Sequence, residues 1–436
     1  MKQSKYNFLF AHKGKKYAFN AVTGALAEVS SDFSYLLNNI FSAKEETLNE
    51  KNKNLLNLMK KGGYILEDDV DELSLLKLKN YSDKFLLNRF DLTIAPTLSC
   101  NFACPYCYET PQKGLIGERV KNAIYSQVEL AAKSNKEISI VWFGGEPTLA
   151  KDIICEMSRK MIDICEKYSV PYTAMMSSNG YLIDDNFVDQ MLEYKITSVQ
   201  ITLDGPKEVH DMSRKLKNGQ GTFDILIANA KLMKKRGIKV CFRANITKSN
   251  KDSFELLLKD LVKNNLQSCN VLPSKVVPYK YDCFVEDNDC LDCKEWALKI
   301  VEYRKLLYKY GVLDLKYPYI LRKNMSHCSA DDTNSFVVDP EGYLYKCPSD
   351  LGYLPKSIGN IINFENKKIQ CNNEVYTNYI LWSPFDHQEC LDCNVLPFCV
   401  GGCPKIGLLN KRPDCFYLKY NLLDILKMLI DRQISN

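Results

Sequence analysis

Three cysteines, Cys100, Cys104 and Cys107, stand in C-x3-C-x2-C spacing on one short stretch. Three thiolates on one loop can hold three irons of a [4Fe–4S] cluster and leave the fourth iron open to a ligand. A zinc site would want a fourth ligand nearby in sequence, and none follows. Seven more cysteines come late in the chain: Cys328 and Cys347, then Cys390, Cys393, Cys399, Cys403 and Cys415. Thiolate sites suit zinc as well as iron–sulfur, so both chemistries stay open for these seven. Between the two sets lie Cys283, Cys290 and Cys293, which read either as ordinary loop thiols or as further ligands. Cys155, Cys165, Cys241, Cys269 and Cys371 read as packing residues.

The compartment decides how 18 cysteines are read. The opening residues, MKQSKYNFLFAHKGKKYAF, show no apolar core followed by a small-residue cleavage site, which argues against secretion. In a reducing cytoplasm such cysteines are metal ligands or redox groups rather than a disulfide scaffold. No stretch approaches the roughly 18 uninterrupted apolar residues of a membrane helix, so no membrane partner is expected. The net charge of +5, spread over 436 residues, implies no nucleic-acid partner either.

That length calls for two or three domains. Residues 1–90 contain no cysteine and read as three short strands, two helices, a short strand at Tyr64–Leu66 and an acidic-start helix from Asp68. The order resembles a winged helix. Residues 91–273 alternate short apolar strands with amphipathic helices. The strands are expected at Leu92–Ala95, Ile138–Phe143, Tyr172–Ser177, Ser198–Leu203, Lys239–Asn245 and Ser268–Leu272. Such repetition makes a parallel sheet with right-handed crossovers, an incomplete (β/α)6 version of the eight-fold barrel with reactive groups at the strand C-termini. Residues 274–327 form a bridge with one helix at about 292–310. Residues 328–436 are cysteine-dense and turn-rich until a last amphipathic helix.

The first cysteine loop, with Tyr106 before its third cysteine, resembles that of the radical S-adenosylmethionine (SAM) enzymes. Gly144-Gly145-Glu146-Pro147 is similar to the family's GGEP segment, Ser178-Asn179-Gly180 to its T-N-G segment, and Thr202-Leu203-Asp204-Gly205 to its S-L-D-G segment. The resemblance implies S-adenosylmethionine chelated on the open iron, with Tyr106, Gly144, Gly145, Glu146, Asn179, Thr202, Arg214 and Leu272 contacting it. Glu146 would accept from the methionine ammonium, the glycines would let the backbone approach the ligand, and the Arg214 fork suits the carboxylate. Arg243 and Asn245 are weaker matches. The seven late cysteines resemble the SPASM extension of peptide-modifying radical enzymes. By that pattern Cys390, Cys393, Cys399 and Cys415 hold one auxiliary [4Fe–4S] cluster, and Cys328, Cys347 and Cys403 hold a second. Asn334 stands where sulfatase maturases have a further cysteine, which leaves the inner cluster with an open iron or a ligand from the bridge.

The expected fold is therefore α/β: a partial radical SAM barrel, a winged-helix-like unit before it and a SPASM iron–sulfur domain after it. The expected function is radical modification of a ribosomally made, cysteine-containing precursor peptide, forming a thioether between cysteine sulfur and carbon. The partners would be a leader-bearing peptide and a reductant such as flavodoxin or ferredoxin. Formylglycine formation in a sulfatase, carbon–carbon crosslinking, and a zinc-braced binding protein are the alternatives. No general base is singled out among Asp204, Glu109, Tyr108 and His210.

Overall fold

The computed structural model describes residues 1–41, 48–86, 88–109, 112–277, 289–312 and 328–433, and these form two units. The smaller unit gathers residues 1–86 with the segment from Trp382 onward. The larger holds the rest of the barrel region and residues 329–381. The stretch expected to be one cysteine-rich domain thus contributes to both. Cys283 lies outside the described residues.

In the smaller unit β1 (Lys2–Gln3) pairs antiparallel with β5 (Ile65–Leu66), while β2 (Asn7–His12), β3 (Lys15–Asn20) and β4 (Leu26–Glu28) form an antiparallel sheet in that order. Helices Ser31–Asn38, Glu50–Lys61 and Glu72–Phe85 begin at Ser30, Asn49 and Asp71, whose side chains accept from first-turn amides. Phe33, Leu36, Leu37, Leu56, Met59 and Tyr64 close one core. The C-terminal segment packs onto this sheet. Phe19 of β3 stacks on Phe398 with ring centroids 5.8 Å apart, and Lys84 donates to the Trp382 carbonyl at 2.5 Å.

In the larger unit β6 (Arg89–Ile94), β7 (Glu137–Trp142), β8 (Tyr172–Ser178), β9 (Ile196–Thr202), β10 (Lys239–Ile246) and β11 (Asn270–Lys275) lie side by side and all parallel. This mixed α/β architecture is a partial barrel. Alternation explains its two surfaces. On β10 Val240, Phe242, Ala244 and Ile246 are buried, whereas Cys241, Arg243 and Asn245 are only half-buried. Helices 118–133, 151–167, 185–193, 223–235 and 254–263 each bury an apolar stripe. Each fully buried Leu, Ile or Met in these layers contributes roughly 1.5–3 kcal/mol. The opposite surface of the sheet stays polar and open.

The sheet does not stop at six strands. β12 (Ser335–Val338) adds parallel beside β6, and β13 (Tyr343–Tyr345) and β14 (Gly359–Asn360) extend it antiparallel to nine. Asn334, read from sequence as a missing ligand, sits at the entrance to β12. Its carbonyl accepts from Asp91 at 3.0 Å and its side-chain oxygen from Lys136 at 2.6 Å.

Candidate functional site

Parallel strands end at one edge, and that edge carries a cavity of about 470 Å³. Cys100, Cys104 and Cys107 line it, with Tyr106, Gly144, Gly145, Asn179, Thr202 and Arg214. Most of the residues expected to act together are therefore gathered in one place. Gln200, Lys275 and Ser349 also line it and were not expected. Gln200 shares the inward alternation of β9 with Thr202, which was the available signal.

The cysteine loop is fixed by its neighbours. The amide of Phe102 donates to Cys100 Sγ at 3.4 Å, and Cys107 N donates to the Cys104 carbonyl at 3.3 Å. Asn101 Oδ1 accepts from Asn179 Nδ2 at 2.7 Å, tying the loop to the end of β8. Burial pushes the thiols up, Cys100 to about 11 and Cys107 to about 12, and each also senses its neighbouring cysteines. Such thiols lose their protons only when a metal takes their place. Among the described residues, no three Cys, His, Asp or Glu side chains are drawn together closely enough to hold a metal ion. The three sulfurs border an open cavity instead.

Gly144 and Gly145 serve the loop before any ligand. Gly144 has φ +108°, and a Cβ on it would stand 2.4 Å from the Thr97 carbonyl oxygen. A Cβ on Gly145 would stand 2.4 Å from that of Ser99. Gly145 N and Glu146 N donate to those same two carbonyls, at 3.3 and 2.9 Å. The glycines thus let the turn after β7 lie directly on the segment between β6 and the cysteines.

Glu146 departs from expectation. Its carboxylate is fully buried and does not line the cavity. Oε1 accepts from Thr148 N at 2.9 Å and Ser178 Oγ at 2.7 Å, and Oε2 from Asn179 N at 2.6 Å. The side chain is spent on joining the ends of β7 and β8, so it has little left for a ligand ammonium. Leu272 departs too: it is 45% exposed on β11 and lies outside the cavity lining.

Against the cysteine loop itself, Arg214 Nη1 donates to the Tyr106 hydroxyl at 2.7 Å, and that hydroxyl donates to Asp204 Oδ2. Asp204 Oδ1 accepts from Asn245 N at 3.0 Å. Burial holds the Tyr106 hydroxyl well above the usual tyrosine range, so it remains a neutral donor. Arg214 is only 8% exposed, its guanidinium lies 5.5 Å from the Phe102 ring, and its Nε has no partner among the described residues. A buried, unpaired guanidinium N–H on a cavity wall suits an anionic group such as an amino-acid carboxylate. With three thiols lining the same cavity, the residues fit a thiolate-held cluster carrying an amino-acid ligand.

Of the four candidate bases, Tyr108 and Glu109 line the cavity, whereas Asp204 and His210 lie behind it. Burial lifts the Glu109 carboxyl to about 8, and its Oε2 has no partner among the described residues. Burial, then Arg214, hold His210 well below the usual histidine range, so it is neutral, with Nε2 3.1 Å from Thr222 Oγ1.

The late cysteines fall in both units. Cys390, Cys393, Cys399 and Cys415 surround a narrow cavity of about 20 Å³ in the smaller unit, with Lys419 Nζ donating to Cys415 Sγ at 3.5 Å. Cys328 and Cys403 belong to that unit as well. Cys347 follows β13 in the larger unit, and the next residues, Pro348 and Ser349, line the barrel cavity.

Residues 94–261 match the radical SAM superfamily model. The chain is 22% identical over 462 aligned positions to the radical SAM cyclopropyl synthase TigE of Paramaledivibacter caminithermalis, covering 96% of this chain and 92% of the relative. It is 27% identical to a cysteine-type anaerobic sulfatase-maturating enzyme of Clostridium perfringens, covering 72% and 88%. The crystal structure of Streptococcus suis SuiB bound to S-adenosylmethionine has the same fold, with a TM-score of 0.54 at 14% identity over 95% of this chain and 98% of that one. No helix among the described residues is long and apolar enough to cross a membrane. Residues 94–261 are thus a radical SAM domain, a family that implies S-adenosylmethionine and a [4Fe–4S] cluster, and the chain is an enzyme related to a radical SAM cyclopropyl synthase and to anaerobic sulfatase-maturating enzymes.

Proposed function

We propose that the chain modifies a ribosomally made, cysteine-containing precursor peptide, joining a cysteine sulfur to a carbon as a thioether. The observation that carries this reading is the shared cavity in which Cys100, Cys104 and Cys107 meet Arg214, whose Nε has no partner among the described residues, and the open ends of β8 to β10. With cluster and cofactor bound, the site is supplied with reductive cleavage of a sulfonium and a radical that abstracts hydrogen from carbon. Cys100, Cys104 and Cys107 would hold three irons. Arg214, steadied by Tyr106 and Asp204, would take the cofactor carboxylate. Gly144, Gly145, Asn179 and Thr202 would form the surrounding wall, and Phe102 and Phe143 would keep water out. Glu146 acts at one remove, by fixing the Asn179 backbone.

Around this centre residues 91–273 are the radical SAM barrel, 274–327 a bridge and 328–436 a SPASM domain. Cys390, Cys393, Cys399 and Cys415 would hold one auxiliary [4Fe–4S] cluster, and Cys328, Cys347 and Cys403 a second. Residues 1–90 would recognise the leader, whose extended chain can add to the edge strand β2 or β4. Support for that role is that the likeness to SuiB, also solved bound to its precursor peptide SuiA, spans 95% of this chain. A flavodoxin or ferredoxin would deliver electrons, in the cytoplasm.

A second reading, carbon–carbon bond formation, is favoured by the relative that spans most of the chain, a cyclopropyl synthase. Mass spectrometry of a neighbouring small peptide after anaerobic reaction tests both. Either crosslink removes two hydrogens from the peptide. A thioether consumes the free cysteine thiol, and a carbon–carbon bond leaves it open to alkylation. An unchanged peptide mass, together with formylglycine in a co-expressed sulfatase, would overturn both.

A further inference from the structure

In the smaller unit, the cavity bordered by Cys390, Cys393, Cys399 and Cys415 carries a cation, Lys419, that no role described so far employs. Helix Leu418–Gln433 begins three residues after Cys415, and Lys419 N donates to the Phe416 carbonyl at 3.0 Å. That tight turn brings residue 419 back beside Cys415, and Lys419 Nζ donates to Cys415 Sγ at 3.5 Å. The amide of Phe416 donates to a second sulfur, Cys399 Sγ, at 3.4 Å. Burial lifts the thiols, Cys390 to about 12 and Cys399 to about 11, so only a bound metal would make them thiolates. Four sulfurs with N–H groups donating to two of them are a donor set that fits an iron–sulfur site. Glu389, the carboxylate on the same lining, makes no ion pair with Lys419 among the described residues. The ammonium is therefore directed at sulfur alone.

We propose that Lys419 raises the reduction potential of the cluster held by Cys390, Cys393, Cys399 and Cys415, by keeping its ammonium against the Cys415 sulfur. The inference rests on reading these four cysteines as cluster ligands. Reduction adds one electron and one negative charge, with no bond made or broken. A cation already in contact with a ligand sulfur favours that more negative state, and hydrogen bonds to cluster sulfurs act in the same direction. Lys419 supplies the countercharge in advance, so no proton need follow the electron. Lys419 is thus a positioning residue for charge, and it acts through Cys415. Its side chain is exposed, so salt should weaken the effect.

The test uses the full chain, reconstituted anaerobically with iron and sulfide and titrated with dithionite under electron paramagnetic resonance. Iron and sulfide are counted in every sample. Cys393→Ala identifies the relevant midpoint potential, which is the one that disappears with this ligand. In K419Q the equilibrium constant for reduction at that midpoint should fall roughly tenfold, the scale of one charge-assisted hydrogen bond, which is about 59 mV for one electron. K419R keeps the charge and should restore most of the difference. Raising the salt from about 0.05 to about 0.5 M should shrink the gap between the native chain and K419Q. Iron content and the other midpoints should not move. The proposal is overturned if K419Q leaves the midpoint in place, if it shifts every midpoint alike, if K419R behaves as K419Q does, or if K419Q loses iron, which would make Lys419 a brace for the site. A Cys393→Ala protein that keeps every midpoint and all its iron would overturn the cluster assignment itself, and the proposal with it. The two failures are distinguishable, because the second is seen with Lys419 intact.

Discussion

Arg214 donates to the hydroxyl of Tyr106 at 2.7 Å across 108 residues of chain. The bond links the cysteine loop to the C-terminal end of the helix Lys207–Ser213, and the same hydroxyl donates onward to Asp204. One phenol thereby sets the position of the cation on the cavity wall.

Tyr106→Phe keeps the ring and removes that link. Asp204, 2% exposed, then loses a donor and Arg214 an acceptor. Leaving buried polar groups unmatched costs about 1–3 kcal/mol. The expected outcome is a lower urea midpoint and roughly tenfold weaker binding of S-adenosylmethionine by equilibrium dialysis, with the iron content of the reconstituted protein retained. Unchanged affinity would mean that Arg214 needs no such support.

Gly145→Ala should act on the cysteine loop rather than on the ligand. Its Cβ would enter the space of the Ser99 and Leu98 carbonyl oxygens, at 2.4 and 2.5 Å, and neither backbone can yield cheaply. Overpacking of this kind costs typically about 1–3 kcal/mol. Iron bound on anaerobic reconstitution should fall, together with thermal stability. A variant of full iron content that merely binds the cofactor weakly would place the glycine's role at the ligand.

Much of this arrangement could be read along the chain. The alternation Val240, Phe242, Ala244 against Cys241, Arg243, Asn245 marks a strand with one packed and one open surface, and the structure has it at Lys239–Ile246. The cysteine spacing and the Gly-Gly-Glu-Pro turn likewise pointed to one cavity, because parallel strands bring their ends together. Periodicity carries no record of long-range pairing, so β12 joining β6 was not legible, nor was Phe398 meeting Phe19. The direction of the Glu146 side chain was also hidden. Its three partner residues come from two turns that only the sheet brings side by side.

Glu146→Gln separates positioning from cofactor binding. An amide has one acceptor oxygen and would place N–H donors against Thr148, Ser178 or the Asn179 amide, all donors toward the carboxylate in the native chain. Stability should drop by about 1–3 kcal/mol, as for other mismatched buried groups. Hydrogen exchange should quicken at Asn179 and Gly180 even without cofactor. Normal exchange there, with lost cofactor affinity, would return Glu146 to the ligand.

Phe19→Ala should loosen the cysteine-rich C-terminal segment, far away in sequence. Phe19 and Phe398 are 2% and 1% exposed and stack on each other, and truncating such a phenylalanine costs about 3–5 kcal/mol. Amide exchange over residues 395–400 should rise. If only residues near position 19 respond, the two segments do not support one another. The same packing means that deleting residues 1–86 would strip the C-terminal segment of its partner, so point variants on β2 or β4 are the cleaner probe of leader binding.

The most direct measurement compares the native chain with a Cys100→Ala/Cys104→Ala/Cys107→Ala variant, both reconstituted anaerobically with iron and sulfide. Each is reduced with dithionite, given S-adenosylmethionine, examined by electron paramagnetic resonance, and assayed for 5′-deoxyadenosine. The native chain should show a reduced-cluster signal that changes when the cofactor is added, and should release 5′-deoxyadenosine. The variant should lose the cofactor-responsive signal and the release, while keeping whatever iron the late cysteines hold. Release from the variant at the native rate would contradict the central claim that these three sulfurs grip the cluster on which the cofactor is cleaved.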